Sequence, residues 1–268
     1  MRDFHDPAPH RPQDQADGLR RLFAGRGGHL LALAANPFVA FGGVVLDRVA
    51  AVLAAAGHPV LVVDAAASSP PPHELARLDL AAAIERVAPG VSYLAARGLP
   101  LKYVDTRGSA GGFVDALQQA APEAEVVLLH ADALDLARLL KRRAVRPLLL
   151  GADHPESIKH AYASCKLLVQ RCGLMSYDLL LAASPLSPRA AGIAASLGSC
   201  ADSFMGAVLR DWALIDPAGD ADDTPDEDLA RLLGAQLELH EVPALPYGAA
   251  AGARSAPADL NPPRPVYR

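Results

Sequence analysis

LLALAANPFVAFGGVVLDRVAAVLAAAGHPVLVVD, residues 30–64, decides how the rest of the chain is read. It has an apolar run (Leu30–Ala35), a loop with a Gly pair (Asn36–Gly43), an Ala-rich segment of helical character (Val44–Ala56) and, after Gly57, a second apolar run (Val60–Asp64). Uninterrupted Val/Leu runs without polar alternation mark strands buried on both faces, as in parallel sheets covered by helices. A strand, a Gly-containing loop and a helix form the arrangement in which an α/β protein cradles phosphate. This loop has that punctuation but contains no Lys, Ser or Thr.

The same alternation continues outward. Strands are expected at Val91–Ala95, Val126–His130, Pro147–Ala152, Asp178–Ala183 and Trp212–Ile215. Helices are expected at Glu74–Val87, Gly112–Ala120, near Asp135–Arg143, Glu156–Cys172 and Ala190–Leu209. Strand–helix alternation implies right-handed crossovers and a mostly parallel, doubly wound α/β sheet of about seven strands with helices on both faces. Asp153 followed by His154-Pro155-Glu156 suggests a capping box, and Gly173 a helix stop. Thr224-Pro225-Asp226-Glu227 suggests another box, opening a helix to about Leu239 whose Leu229, Leu232, Leu233 and Leu237 would pack on the sheet. The expected organisation is a flexible N-terminus with one short helix (1–28), one α/β domain (29–240) and a Pro/Ala-rich disordered tail (241–268).

Composition excludes several classes. A net charge of −5 disfavours general nucleic-acid binding, which relies on Lys and Arg neutralising phosphates. Three cysteines, Cys165, Cys172 and Cys200, form no paired metal motif and suit a reducing cytoplasm; Cys165 and Cys172 are expected to pack in the core. Met1–Gln13 is polar and proline-broken, so no secretory signal is expected, and no apolar run approaches the ~18 residues of a membrane span. Asp220–Glu241 is acidic, with Arg231 its only Lys or Arg, and anionic lipid would repel it. His130, Asp132, Asp153 and His154 fall near strand C-termini; a metal cluster is conceivable there, but capping and loop solvation are the favoured roles.

Before the domain, Asp14-Gln15-Ala16-Asp17-Gly18-Leu19-Arg20-Arg21-Leu22-Phe23 reads as a short helix with Asp14 as N-cap. Ala16, Leu19, Leu22 and Phe23 share one face. That face could fold onto the core or dock on a partner.

Asp14-Gln15-Ala16-x-Gly18-Leu19-Arg20 resembles the DQAxxLR signature of FlhG (FleN, YlxH) flagellar-number regulators, which are MinD-like members of the ParA/MinD ATPase group. Pro155-Glu156-Ser157-Ile158-x-x-Ala161-Tyr162-x-x-x-Lys166-Leu167 and Asp202-Ser203-Phe204-Met205-Gly206 are similar to later motifs of that family, so the resemblance spans about Asp14 to Asp216. It implies a MinD/ParA-like P-loop fold. It also implies a partner, the signal-recognition-particle-type GTPase FlhF, activated through Asp14, Gln15, Ala16, Leu19 and Arg20, with Leu22 and Phe23 as a docking face. Flagellar assembly or transcription-regulatory proteins are further candidate partners.

The departures from the family bear on its ATPase activity. Aligned back from Asp64, the phosphate loop KGGxGK[ST] falls on Pro37–Gly43. Pro37 stands in place of the signature lysine, Gly42 in place of the main phosphate lysine and Gly43 in place of the Mg²⁺-binding hydroxyl. No lysine precedes Leu101. Ala66 replaces the second carboxylate of the family's Asp-x-Asp, and His130 replaces its metal-linked aspartate; imidazole is a poor substitute for a hard oxygen ligand. A pseudo-ATPase without ATP, Mg²⁺ or another cofactor is therefore expected. It would be cytoplasmic, without direct membrane binding, and recruited to the membrane through its partner. The alternative is an α/β enzyme, or a residual ATPase, holding a nucleotide or dinucleotide at the Phe41-Gly42-Gly43 turn with Asp64 as ribose acceptor.

Overall fold

The computed structural model describes residues 28–219 and 227–239. The helix expected at Asp14–Phe23, the capping box expected at 224–226 and the expected tail lie outside the described residues. The described chain forms an eight-stranded sheet in the order β3-β4-β2-β5-β1-β6-β7-β8. Its strands are β1 (His29–Ala34), β2 (Val60–Asp64), β3 (Glu85–Ala88), β4 (Val91–Ala95), β5 (Val126–Ala131), β6 (Leu148–Ala152), β7 (Ser176–Ala182) and β8 (Val208–Ile215). Every pairing is parallel except β3 with β4. The helices are α1 (Gly42–Ala55), α2 (Gly111–Ala120), α3 (Ala133–Leu139), α4 (Pro155–Cys172), α5 (Ala190–Met205) and α6 (Glu227–Glu238).

The central strands sort their side chains by parity. Leu31 and Leu33 face α1 and α6, where Val45, Val49, Leu53, Leu229, Leu232 and Leu233 are buried. Leu30, Ala32 and Ala34 face the core under α2 to α5, filled by Phe113, Leu117, Leu136, Cys165 and Leu197. Apolar burial on both faces is the dominant favourable term for such a sheet. Leu237 packs half-buried beside the rest of the α6 stripe. Cys165 lies in the core, where burial pushes its thiol up to about 12.

Three expected elements differ. The segment expected as a helix at Glu74–Val87 is two 3₁₀ turns, Glu74–Arg77 and Ala81–Ala83, followed by β3. Asp79 accepts the Ala81 amide at 2.9 Å, resetting the backbone between the turns. The Pro89-Gly90 turn, with Gly90 at φ 73°, then folds β3 against β4 and supplies the eighth strand. The expected Ala190–Leu209 helix ends at Met205, because Gly206 is left-handed (φ 64°) and lets β8 begin at Val208 rather than Trp212. Near Asp135–Arg143 the helix is shorter, ending at Leu139, and Arg142 has a positive φ of 68°.

Crossovers from β1 run to one side through α1 and β2. After β5 the chain passes to the other side of β1 to form β6. Loops leaving the C-terminal ends of β1, β5 and β6 therefore diverge at a topological switch point, the usual place for a ligand crevice.

Candidate functional site

At that switch point lies a cavity of about 310 Å³, whose walls include Asn36, Gly42, Gly43, Asp64, Ser69 and His130. Pro37 also lines it. Five of the residues placed by sequence at a degenerate nucleotide site, Pro37, Gly42, Gly43, Asp64 and His130, thus meet around one space. Ala66 lies buried beside it, and its carbonyl accepts the Ser69 amide at 3.0 Å.

The loop is held by Asn36, which is nearly fully buried. Its Nδ2 donates to the carbonyls of Leu150 at 2.7 Å and Ser157 at 2.9 Å, with Ser157 Oγ at 3.0 Å, while its Oδ1 accepts the Phe38 amide at 3.1 Å. Ser157 Oγ in turn accepts the Ala152 amide at 2.8 Å. One side chain therefore ties the loop to β6 and to the start of α4. The loop ends at Phe41, which caps α1 in the left-handed region (φ 60°, ψ 37°) and is 70% exposed. Such a conformation costs a non-Gly residue roughly 1–2 kcal/mol. No side chain caps α1 and no acidic residue sits in its first turn. A Cβ added at Gly42 or Gly43 would meet nothing within 4 Å, so both glycines face open space.

Register sets Asp64 of β2 beside His130 of β5. Asp64 Oδ1 accepts from His130 Nδ1 at 2.7 Å and from the Ser69 hydroxyl, and Tyr93 donates to Oδ2 at 3.4 Å. Burial alone would raise the Asp64 carboxyl, but the hydrogen bonds from His130 and Ser69 and the charge on His130 outweigh it and hold the carboxyl below its usual range. Burial, then the neighbouring Asp64 charge, pushes the Tyr93 phenol up to about 12.

The four polar residues at strand ends have separate partners. Asp132 accepts the Ala67 amide at 2.9 Å and so braces the loop after β2. Asp153 does not cap α4: it accepts from Ser187 Oγ at 2.6 Å and pairs with Arg189 at 3.0 Å. His154 is the N-cap instead. Its Nδ1 faces the Ser157 amide at 3.5 Å and its Nε2 donates to the Phe38 carbonyl at 2.7 Å. Glu156 pairs with Lys159 rather than answering a cap. Among the described residues no group of three or more His, Cys, Asp or Glu is placed to hold a metal ion.

Asn36, Ser69 and Tyr93 are site residues that the sequence reading did not single out. Ser69 precedes three prolines (Pro70–Pro72) that resemble a linker, yet it lies five residues after the β2 carboxylate that it binds.

No helix among the described residues is long and apolar enough to cross a membrane. No protein-family model matches the chain, and no curated protein matches it. Solved structures do. The MinD cell division protein of Aquifex aeolicus is 12% identical over 77% of this chain and 98% of its own, with a TM-score of 0.54. The MinC:MinD cell division protein complex of the same organism matches at 11% identity over 77% and 96%, with a TM-score of 0.53. A plasmid partition protein of Borrelia burgdorferi B31 bound to AMPPNP matches at 9% identity over 81% and 100%, also at 0.53. At these identities the likeness establishes the MinD/ParA-like α/β fold.

Proposed function

We propose that this chain is a FlhG-like regulator of flagellar biosynthesis and number that works without an ATPase cycle. It binds an SRP-type flagellar GTPase of the FlhF kind and stimulates it through Asp14–Arg20. The observation that carries the ATP-silent half is the state of Asp64. The carboxylate left at the switch point is occupied by His130 and Ser69, and the loop opposite offers no ammonium or hydroxyl. A nucleoside triphosphate would meet backbone amides and a negative charge, without the Lys and metal-holding hydroxyl that P-loop hydrolysis uses.

The activating half rests on the N-terminal motif. GTP hydrolysis needs a positioned water and stabilised charge, often from a Gln and an Arg supplied in trans. Gln15 orients the water or completes the shell around it. Arg20 supplies a salt bridge or a charge on the phosphate side. Leu19, Leu22 and Phe23 dock on the partner, and the α/β domain serves as the platform that delivers them.

The test is GTP hydrolysis by an FlhF-type GTPase with and without the full chain, alongside Gln15→Ala. Stimulation lost in the variant supports the proposal; equal stimulation by both refutes it. Binding of radiolabelled ATP with Mg²⁺ refutes the ATP-silent half.

A further inference from the structure

We propose that Leu19, Leu22 and Phe23 dock in this chain's own cleft at the N-terminal ends of β2 and β4, and that the docked state withholds the activating segment from its GTPase; the consequence for the GTPase rests on the function proposed above. The cleft, of about 280 Å³, is walled by Pro59, Val60, Ala81, Ile84, Ala120 and Ala124. Val60 begins β2 and Gly90, which also borders the cleft, precedes β4, so it opens at the end of the sheet opposite the Asn36–Gly43 loop. A neighbouring hollow, bordered by Gly28, Gln118 and Pro122, shares the Ala124 wall.

The exit of the chain selects the occupant. Residues before 28 leave the domain at Gly28, beside that neighbouring hollow. Gly28 is held in place: the next amide, of His29, donates to the Glu125 carbonyl at 2.7 Å, and Gln118 Nε2 donates to the Gly28 carbonyl at 3.4 Å. A Cβ on Gly28 would lie 3.0 Å from the Glu125 carbonyl oxygen and 3.2 Å from that of Ala124, so the backbone runs flush against the turn that walls both hollows. Phe23 is five residues upstream, hence within about 18 Å of Gly28. Only β5 separates β1 from β2, which puts the cleft roughly 10 Å across the sheet and within that reach. The crevice beyond the other end of β1, with the exposed Phe41, lies roughly 25 Å from Gly28 and outside it.

Side-chain chemistry agrees with the reach. Leu19, Leu22 and Phe23 match the apolar walls. Arg20, Arg21 and Arg26 accompany them, while Asp115 and Glu123 border the two hollows and Glu125 adjoins the exit; Arg86 is the opposing charge. A tether this short gives the segment an effective concentration on the order of millimolar, so a weak apolar contact is enough to populate the docked state. The same three side chains cannot cover the cleft and dock on the partner at once. The partner must therefore displace them.

The experiment is NMR on the full-length, ¹⁵N-labelled chain, comparing it with a Leu19→Asp/Phe23→Asp double variant at two protein concentrations. Shifts are expected at the amides of Gly90, Ala120, Glu123 and Ala124, equal at both concentrations, with the β7 and β8 amides unmoved as the control for folding. Changes confined to residues 14–28 overturn the docking. Cleft shifts that appear only at the higher concentration also overturn it, because a second copy is then the occupant. Ala81→Trp, at an exposed position, fills the cleft without removing a buried contact. It should move the Leu19 and Phe23 amides and lower the concentration of chain needed for half-maximal GTPase stimulation about three- to tenfold, as the free fraction of the segment rises. Equal half-maximal concentrations for the chain and Ala81→Trp refute the withholding. Cleft shifts without any GTPase stimulation leave the docking in place and refute the proposed function. Gln15-dependent stimulation without cleft shifts does the reverse.

Discussion

Asn36→Ala tests whether the loop is held as described. Asn36 is 6% exposed, and its amide makes bonds of 2.7 and 2.9 Å to carbonyls 114 and 121 residues away. A buried hydrogen bond contributes about 1 kcal/mol net, and acceptors left desolvated without a donor add a further penalty, so the expected loss is about 2–4 kcal/mol. That is a large share of the roughly 5–15 kcal/mol by which a domain is stable. At roughly 2–4 °C per kcal/mol for a chain of this size, Tm should fall by about 5–15 °C. Urea unfolding should show a lower midpoint with an unchanged slope. Ser157→Ala removes the hydroxyl that links Asn36 to the Ala152 amide. The double mutant should then lose less than the sum of the two single losses, by about 1 kcal/mol. A cost under about 0.5 kcal/mol for Asn36→Ala, or strict additivity with Ser157→Ala, refutes the claim that one side chain fastens the loop to β6 and α4.

Phe41→Gly should stabilise the protein by about 1 kcal/mol, because the left-handed strain is relieved and an exposed ring contributes little packing; unchanged or lower stability in urea refutes that reading. Asp64 has a folded pKa below its unfolded value. Its contribution is therefore present above the ordinary carboxylate range near pH ~4 and lost as pH falls through the acid range, and His130→Phe should flatten the acid limb of a stability–pH curve. Asp178 behaves in the opposite sense. Burial raises its carboxyl despite Arg146 at 2.8 Å and Gln236 at 2.6 Å, so its contribution is lost as pH rises, and the cost of Asp178→Asn should be larger near pH ~4 than near pH ~7 in the same assay.

The sheet was legible wherever burial alone decides the element. Val/Leu runs such as Val126–Leu129 read as strands covered on both faces, and Gly173 stops its helix through a backbone conformation that other residues resist, whereas Gly206, inside the expected Ala190–Leu209 helix, was not read as a stop. Legibility failed where a distant partner decides. β3 is exposed along its whole length and is a strand only because Pro89-Gly90 returns it to β4. Leu75 and Leu78, within the segment expected as a helix, both have exposed side chains. Asp153 had a good capping sequence but is drawn to Ser187 and Arg189, more than thirty residues on, and His154 takes its place. At the candidate site, Pro37, Gly42, Gly43, Asp64 and His130 could be grouped because the resemblance aligns them with one family's phosphate-loop and carboxylate positions, and the sheet then places β5 between β1 and β2. The roles of Asn36 and Ser69 depend on contacts that no local pattern announces.

The pairing of Asp64 with His130 also gives a physical reason why this site suits a loop without Lys. Strand register fixes these two side chains within hydrogen-bonding distance in a largely buried wall. If position 130 carried a carboxylate, two buried acids would face each other, and without a metal ion or a nearby lysine one of them would have to take up a proton. An imidazole removes that conflict, since it donates through Nδ1 and compensates the charge on Asp64. A loop without Lys therefore favours His130, and His130 in turn occupies the carboxylate oxygen that a metal would otherwise use. His130→Asp consequently should not restore metal binding. It should destabilise the protein near neutral pH, with the loss shrinking as pH falls and the acid pair protonates. Mg²⁺-dependent stabilisation of that variant in thermal unfolding would show that the cavity still presents a metal site, and that the loop glycines rather than Asp64–His130 are its one barrier to nucleotide chemistry.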